Sequence, residues 1–334
     1  MTIKKSLLII AKLLLSVFCL SYLINKFGHE IKLIAFDKLN YIFLLLSLMV
    51  FAISQLIAVW RWYICYFHLS PREAANYKRI FKKVYWIGLF SNNFLPASFG
   101  GDLVRAYILK SLIKSANWSY CLVSVFVDRA FGLLVLALLG LVVSIYIKVL
   151  GLGLGHNWTN IFILIFASIL LGAIIFYYLI IQAKKFIYIG KKWFKWLNGR
   201  KIRKIVNSLQ LVFINKILLF KLFLSSVLIQ ILVVLSIYLA SLGLNMKISK
   251  ALLFLLNPAS TLGSLIVPSL NGLGVREGIY VYLFKAFNSS GGEAIILSAF
   301  CFITMLLISL PGSIFFLQNK NKKSWKAKYG ENSK

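Results

Sequence analysis

Two stretches of this chain set arginine behind helix-breaking glycine at matching spacing, each with a carboxylate close by, a combination suited to binding an anion. The first runs Asn93-Phe94-Leu95-Pro96-Ala97-Ser98-Phe99-Gly100-Gly101-Asp102-Leu103-Val104-Arg105. The second runs Val267-Pro268-Ser269-Leu270-Asn271-Gly272-Leu273-Gly274-Val275-Arg276-Glu277. Each passes from a proline through small residues to Gly-x-x-Val-Arg and then carries charge into an apolar segment. An arginine one turn inside a helix offers phosphate a planar fork of donors, and the helix N-terminus adds unpaired N–H groups and about half a positive charge. Two such arms meeting tip to tip would make Arg105 and Arg276 a phosphate cradle, which Asp102 and Glu277 keep from being a plain anion trap. Asp128-Arg129 is a third acid–arginine set, with Gly132 one turn on for close helix packing. The candidate binding residues are therefore Asn93, Pro96, Gly100, Gly101, Asp102, Arg105, Asp128, Arg129, Pro268, Gly272, Arg276 and Glu277. None is read as catalytic.

The elements that must position these residues are membrane helices. The chain is 60% hydrophobic, with a mean hydropathy of +0.87, and apolar runs long enough to cross about 30 Å of hydrocarbon recur along it. The clearest are 6–24, 41–60, 118–148, 160–181, 217–241 and 294–317. Backbone polar groups in lipid must be satisfied within each segment, which leaves helices as the spans. At that depth a charge costs at least about 2.5–3.5 kcal/mol, so Asp102, Asp128 and Glu277 must face protein or water. Ion pairs that merely fix the bundle are the competing reading. Function is favoured for the hairpin charges, and for Asp128 and Arg129 the two readings balance.

Charge then orders the spans. The net charge is +30, from 38 Lys and Arg against 8 Asp and Glu. It is segregated from the apolar runs, in Lys4-Lys5, Arg72 through Lys83, Lys184 through Lys204 and Lys320 through Lys328. This is the pattern of cytoplasmic loops on anionic lipid, not of a nucleic-acid surface. Residues 149–159 and 287–292 hold no Lys or Arg and go outside with Asn25 to Asn40. Counting crossings from a cytoplasmic N-terminus, 84–113 must enter and leave on the cytoplasmic side, and 251–287 on the outer side. The expected fold is an all-α polytopic bundle with about six full spans and two oppositely oriented re-entrant helical hairpins. Paired, glycine- and proline-broken segments of this kind point to a substrate site between inverted repeats, and so to transport. Residues 1–320 form one domain: a first half over 1–183, a basic amphipathic linker over 184–216 with Trp193 and Trp196 as interfacial anchors, and a second half over 217–320. Residues 321–334 are a basic tail. The N-terminal run has no small-residue cleavage site and reads as an uncleaved span.

Enzyme signatures are missing. No His-Glu-x-x-His, P-loop or metal-spaced cysteine pair occurs, and no cofactor or metal is expected. Gly151-Leu152-Gly153-Leu154-Gly155 lacks the later glycine of a dinucleotide turn and reads as an outer loop. Cys19, Cys65, Cys121 and Cys301 lie in apolar surroundings as small hydrophobes.

Asn92-Asn93-Phe94-Leu95-Pro96 leading to Gly100-Gly101-Asp102 and Arg105, then Asp128-Arg129-x-x-Gly132-Leu133, then Pro268 to Gly274-Val275-Arg276-Glu277-Gly278, together resemble the lysylphosphatidylglycerol synthase transmembrane family over about residues 5–318. Its members are bacterial and archaeal flippase-like proteins, as in the flippase domain of the multiple peptide resistance factor, which is associated with moving aminoacylated phosphatidylglycerol. Asp128 stands where the family's Glu-Arg pair has the longer acid. The resemblance implies a multi-pass protein of the cytoplasmic (inner) membrane, both termini cytoplasmic, moving a phosphate-headed lipid between leaflets: a phospholipid, an aminoacyl-phospholipid or a lipid-linked intermediate. The alternative is an intramembrane lipid-binding subunit or enzyme of lipid or envelope-glycan synthesis, acting with a separate synthase or glycosyltransferase. A third reading is a scaffold for envelope assembly. The full synthase adds a soluble aminoacyl-transfer domain. The tail here is too short for one, so lysyl transfer is not expected.

Overall fold

The computed structural model describes residues 21–23, 25–29, 39–94, 100–113, 115–153, 155–189, 200–267, 269 and 272–320. The expected first span (6–24, apart from residues 21–23), Pro96, Pro268, Trp193 and Trp196 lie outside them. Among the described residues, helical residues at 21–23 and 25–29 precede α1 Tyr41–Leu69, α2 Pro71–Asn76, α3 Lys78–Phe94, α4 Gly100–Leu112, α5 Trp118–Leu150, α6 His156–Ile189, α7 Arg200–Ile214, α8 Lys216–Gly243, α9 Lys250–Ile266, α10 Val275–Ala286, α11 Gly291–Ser309 and α12 Pro311–Lys320. Among the described residues there is no strand, and five segments are long and apolar enough to cross a membrane: α1, α5, most of α6, α8, and α11 run on into α12. The chain is a multi-pass, all-α membrane protein. Large apolar side chains such as Leu45, Met49, Leu164, Leu171 and Ile174 face outward, where a water-soluble protein would hide them.

Helix starts follow local chemistry. Asn40, Asn117 and Asn215 cap α1, α5 and α8 through Oδ1, and Ser249 and Ser290 cap α9 and α11 through their hydroxyls. Each meets an N–H group that has no partner within its helix. The span expected over 41–60 continues to Leu69, because Arg61, Trp62, Cys65 and Tyr66 are buried in protein. The span expected over 294–317 is broken at Leu310, just before Pro311. The linker helix departs from a purely headgroup-layer position: Leu209, Val212 and Phe213 of α7 are buried against Ile180, Leu218 and Leu222, and Gln210 donates to the Ile180 carbonyl at 2.9 Å. That apolar face finds protein.

Two helix pairs stand where the hairpins were expected. Their arms, α3 with α4 and α9 with α10, hold 17, 13, 17 and 12 residues. At 1.5 Å per residue each is shorter than about 30 Å of hydrocarbon. The α3–α4 arms touch backbone to backbone, because a Cβ on Gly101 would collide with the Gly88 carbonyl oxygen and with Asn92. Helices α1 and α8 pack against each other in antiparallel order. The Asn40 N–H donates to the Gly243 carbonyl at 2.9 Å, Ser47 meets Ser236, Arg61 meets Ser226, and His68 meets the Leu211 carbonyl just before α8. The hairpins that follow α1 and α8 therefore begin at opposite ends of the bundle.

The halves repeat one another. Laying Arg105 on Arg276 lays α3 on 249–265, α1 on 212–240 and α5 on 289–321, each within a few residues of α9, α8 and α11–α12. Helix contacts obey the same exchange: α4 packs on α5 as α10 packs on α11, α3 touches α11 as α9 touches α5, and α1 touches α5 as α8 touches α11. Ser47 and Ser236 tie α1 to α8 by reciprocal bonds, each hydroxyl donating to the other's carbonyl at 2.8 and 2.9 Å. The loops sort by end as well. A Cβ on Gly153 would meet the Phe287 ring, and one on Gly291 the Phe27 ring, so the connections 149–159 and 287–292 share one end, with Phe27 beside them. At the other, His68 meets Leu211 and Lys83 lies over Phe315, bringing the basic stretch around 72–83 together with α7 and with α12, which leads to the basic tail.

Candidate functional site: a charged cavity between the hairpins

Each hairpin has its own apolar core. One is built on Trp62, Phe81, Ile87 and Leu109, the other on Phe166, Leu252, Leu255 and Phe284. Between them lies a cavity of about 380 Å³ in which charged and polar groups are set among apolar side chains such as Phe51, Leu133, Val233 and Met305. Arg61, Asp128 and Arg129 line it from α1 and α5, Arg276 from α10, and Asn257, Ser260, Thr261 and Ser264 from α9.

The first-half charges form one alternating chain. Arg61 Nε donates to Asp128 Oδ1 at 2.8 Å, and Arg105 Nη2 to Asp128 Oδ2 at 3.0 Å. Arg105 Nη2 also lies 3.4 Å from Asp102 Oδ1, and Arg129 Nε lies 2.6 Å from Asp102 Oδ2. Asp128 thus pairs with Arg61 and Arg105, not with its neighbour Arg129, which crosses to Asp102. Asp102, Arg105 and Asp128 are 4%, 2% and 2% exposed. Arg105 is held between aromatic faces, its guanidinium carbon 4.7 Å from the Trp62 ring centre and 4.9 Å from that of Tyr85. It belongs to the buried network and does not line the cavity. Gly132 turns its bare Cα toward Arg61, leaving that guanidinium room.

In the second half, Arg276 Nη2 donates to Glu277 Oε1 at 2.7 Å and its Nε to Ser298 Oγ at 3.1 Å. Ser298 donates in turn to Glu277 Oε1 at 2.9 Å. In the repeat register Ser298 falls beside the counterpart of Asp128, so a neutral hydroxyl replaces the acid. Gly272 and Gly274 adopt φ of 78° and 83°, open to glycine without strain. The helix ends expected to greet an anion already hold protein acids: Glu277 Oε2 accepts the Gly274 N–H at 2.6 Å, and Asp102 sits in the first turn of α4. Asn92 Oδ1 accepts the Gly101 N–H at 2.8 Å. Gly100 opens α4. Asn93, at the end of α3, donates to Ser309 of α11 at 2.7 Å and lines the cavity.

The cavity brings together Asn93, Asp128, Arg129 and Arg276. It turns Arg105, Asp102 and Glu277 into their partners, and adds residues that the sequence reading passed over. Arg61 is the chief of these. Others are Gln230, whose Oε1 accepts from Asn257 at 2.8 Å, and the α9 stripe Asn257, Ser260, Thr261 and Ser264. That stripe has the three- and four-residue spacing of one helix face. The signal was present as a polar stripe in an apolar helix.

Two packed repeats with an arginine-lined cavity at their junction define a polytopic α-helical membrane protein of the inverted-repeat kind. The chain belongs to the family described as lysylphosphatidylglycerol synthase TM region, whose model matches residues 9–312. No curated protein and no solved structure matches the chain.

Proposed function

We propose that the protein is a flippase-like transporter that moves a phosphate-headed lipid between leaflets, the head group entering the charged cavity while the tails remain in the bilayer. One observation carries this. Around the cavity, four guanidinium groups (Arg61, Arg105, Arg129, Arg276) meet three carboxylates (Asp102, Asp128, Glu277), leaving one positive charge unneutralised. A buried charge without its partner is costly, and one kept beside a cavity argues for an anionic visitor. A phosphate would meet guanidinium forks there, its strongest side-chain partners. The paired hairpins supply two related gates, one reached from each end of the bundle.

The test is reconstitution. Vesicles holding the full chain should equilibrate a tail-labelled anionic phospholipid between leaflets, read by quenching of the outer label, and vesicles with Arg129→Ala protein should not. Lipid binding with no movement between leaflets would favour the other reading, a lipid-holding subunit that presents its cargo to a separate enzyme.

A further inference from the structure

The cavity's charged and uncharged polar groups offer different partners, and the difference bears on which head group fits. Among the described residues, Arg61, Arg129 and Arg276 each keep one terminal nitrogen without a hydrogen-bond partner: Nη2 of Arg61, and Nη1 of Arg129 and of Arg276. The uncharged polar groups of the lining include Gln230 and the Asn257, Ser260, Thr261 and Ser264 stripe, set among apolar residues such as Val233 and Leu265. The Gln230–Asn257 bond uses Gln230 Oε1 and leaves its Nε2 donors for the cavity. Asp128 is the one acid lining the cavity among the described residues, and both its oxygens are taken by arginines. Asp102 and Glu277 are 4% and 3% exposed and face their own arginines. The Ser260 and Thr261 hydroxyls donate to the Leu256 carbonyl and to Asn257 Oδ1, which leaves their oxygens to accept. A phosphate therefore has three donors, an alcohol hydroxyl can accept from Gln230 Nε2 and donate to Ser260 or Thr261, and an ammonium finds no available carboxylate.

We infer, resting on the lipid-transport reading above, that the head group this cavity accepts is a single phosphate diester bearing an uncharged, hydroxylated alcohol, glycerol or a sugar, and that it rejects aminoacylated heads. A lysyl ester on phosphatidylglycerol adds two ammonium groups to one phosphate and makes the head a net cation. That cation would enter a site already in positive excess, and unlike wrong partners of neutral charge it meets direct repulsion as well as lost hydration. A specificity built this way works by exclusion as much as by fit.

The experiment measures equilibrium binding of tail-labelled lipids to the full chain in nanodiscs of neutral phosphatidylcholine, apart from any movement between leaflets. Phosphatidylglycerol is expected to bind about tenfold or more tightly than lysyl-phosphatidylglycerol, with phosphatidylethanolamine between them. A polyprenyl-phosphate hexose should share the preference over the lysyl lipid, and the tighter of the two hydroxylated lipids names the source of the phosphate. Asn257→Ala should weaken phosphatidylglycerol several-fold and leave phosphatidic acid, which has no alcohol, nearly unchanged. Lysyl-phosphatidylglycerol binding as tightly as phosphatidylglycerol overturns the assignment, whatever the variants do. Preferential binding without translocation would instead sink the transport reading and leave the head-group assignment standing.

Discussion

Replacing Arg105 by alanine removes the link between Asp128 and Asp102 and empties the slot between Trp62 and Tyr85. Taking one partner from a buried ion network costs about 3–5 kcal/mol, because the remaining charge stays buried without its counterion. Arg105→Ala should therefore lower the thermal unfolding midpoint in detergent by many degrees, and loss of transport should follow loss of fold. Arg129 lies at the open end of the same chain of charges, with 42% of its side chain exposed. For Arg129→Ala the midpoint should fall less, because Asp102 keeps Arg105 at 3.4 Å, and leaflet exchange should be lost beyond what the fall in stability explains. Lysine there should restore only part of the activity, since a point charge lacks the planar fork. Normal exchange by the Arg129→Ala protein would remove the central cation from the mechanism.

At the scale of elements, the α3–α4 hairpin depends on Gly101 lying against the Gly88 backbone. Gly101→Ala must push two helices apart, a change of the overpacking kind that costs about 1–3 kcal/mol. Gly278 on α10 has nothing within 4 Å of where its Cβ would sit, so Gly278→Ala should be neutral or stabilise by up to about 1 kcal/mol. Denaturant or thermal midpoints of the two variants make the comparison, and equal midpoints would show the arms do not need that close approach. Both hairpins were legible in the sequence because proline and glycine break apolar runs and because loop charges allow one count of crossings. The polar stripe on α9 was legible too, in its helical spacing. Arg61 was not, since an arginine after Trp60 reads as the interfacial end of a span; only the packing of α8, with Ser226 in place to accept from it, carries it inward. Nor could the exchange of partners be read. Adjacent residues Asp128 and Arg129 point to different sides of α5, and which arginine reaches which acid depends on how α1, α4 and α5 cross.

For the whole molecule, shared loop ends make a labelling prediction. Single cysteines at Gly155 and Ser290 should react with an impermeant reagent from the same side of the membrane, and one at Arg72 only from the other. Reaction of Gly155 and Ser290 from opposite sides would break the inverted arrangement. The near-exchange of the two halves has a further consequence. A body that looks much the same when turned over has no strong preference for either way up, so the bundle itself contributes little to its orientation in the membrane. That decision falls to the lysines and arginines of the loops, the part of the chain least involved in packing. Moving a handful of them, by neutralising Arg72, Lys78, Arg79, Lys82 and Lys83 and placing lysines at the exposed Gly155, His156 and Asn157, should yield a population inserted upside down yet folded. Such molecules would offer the same cavity to the opposite leaflet.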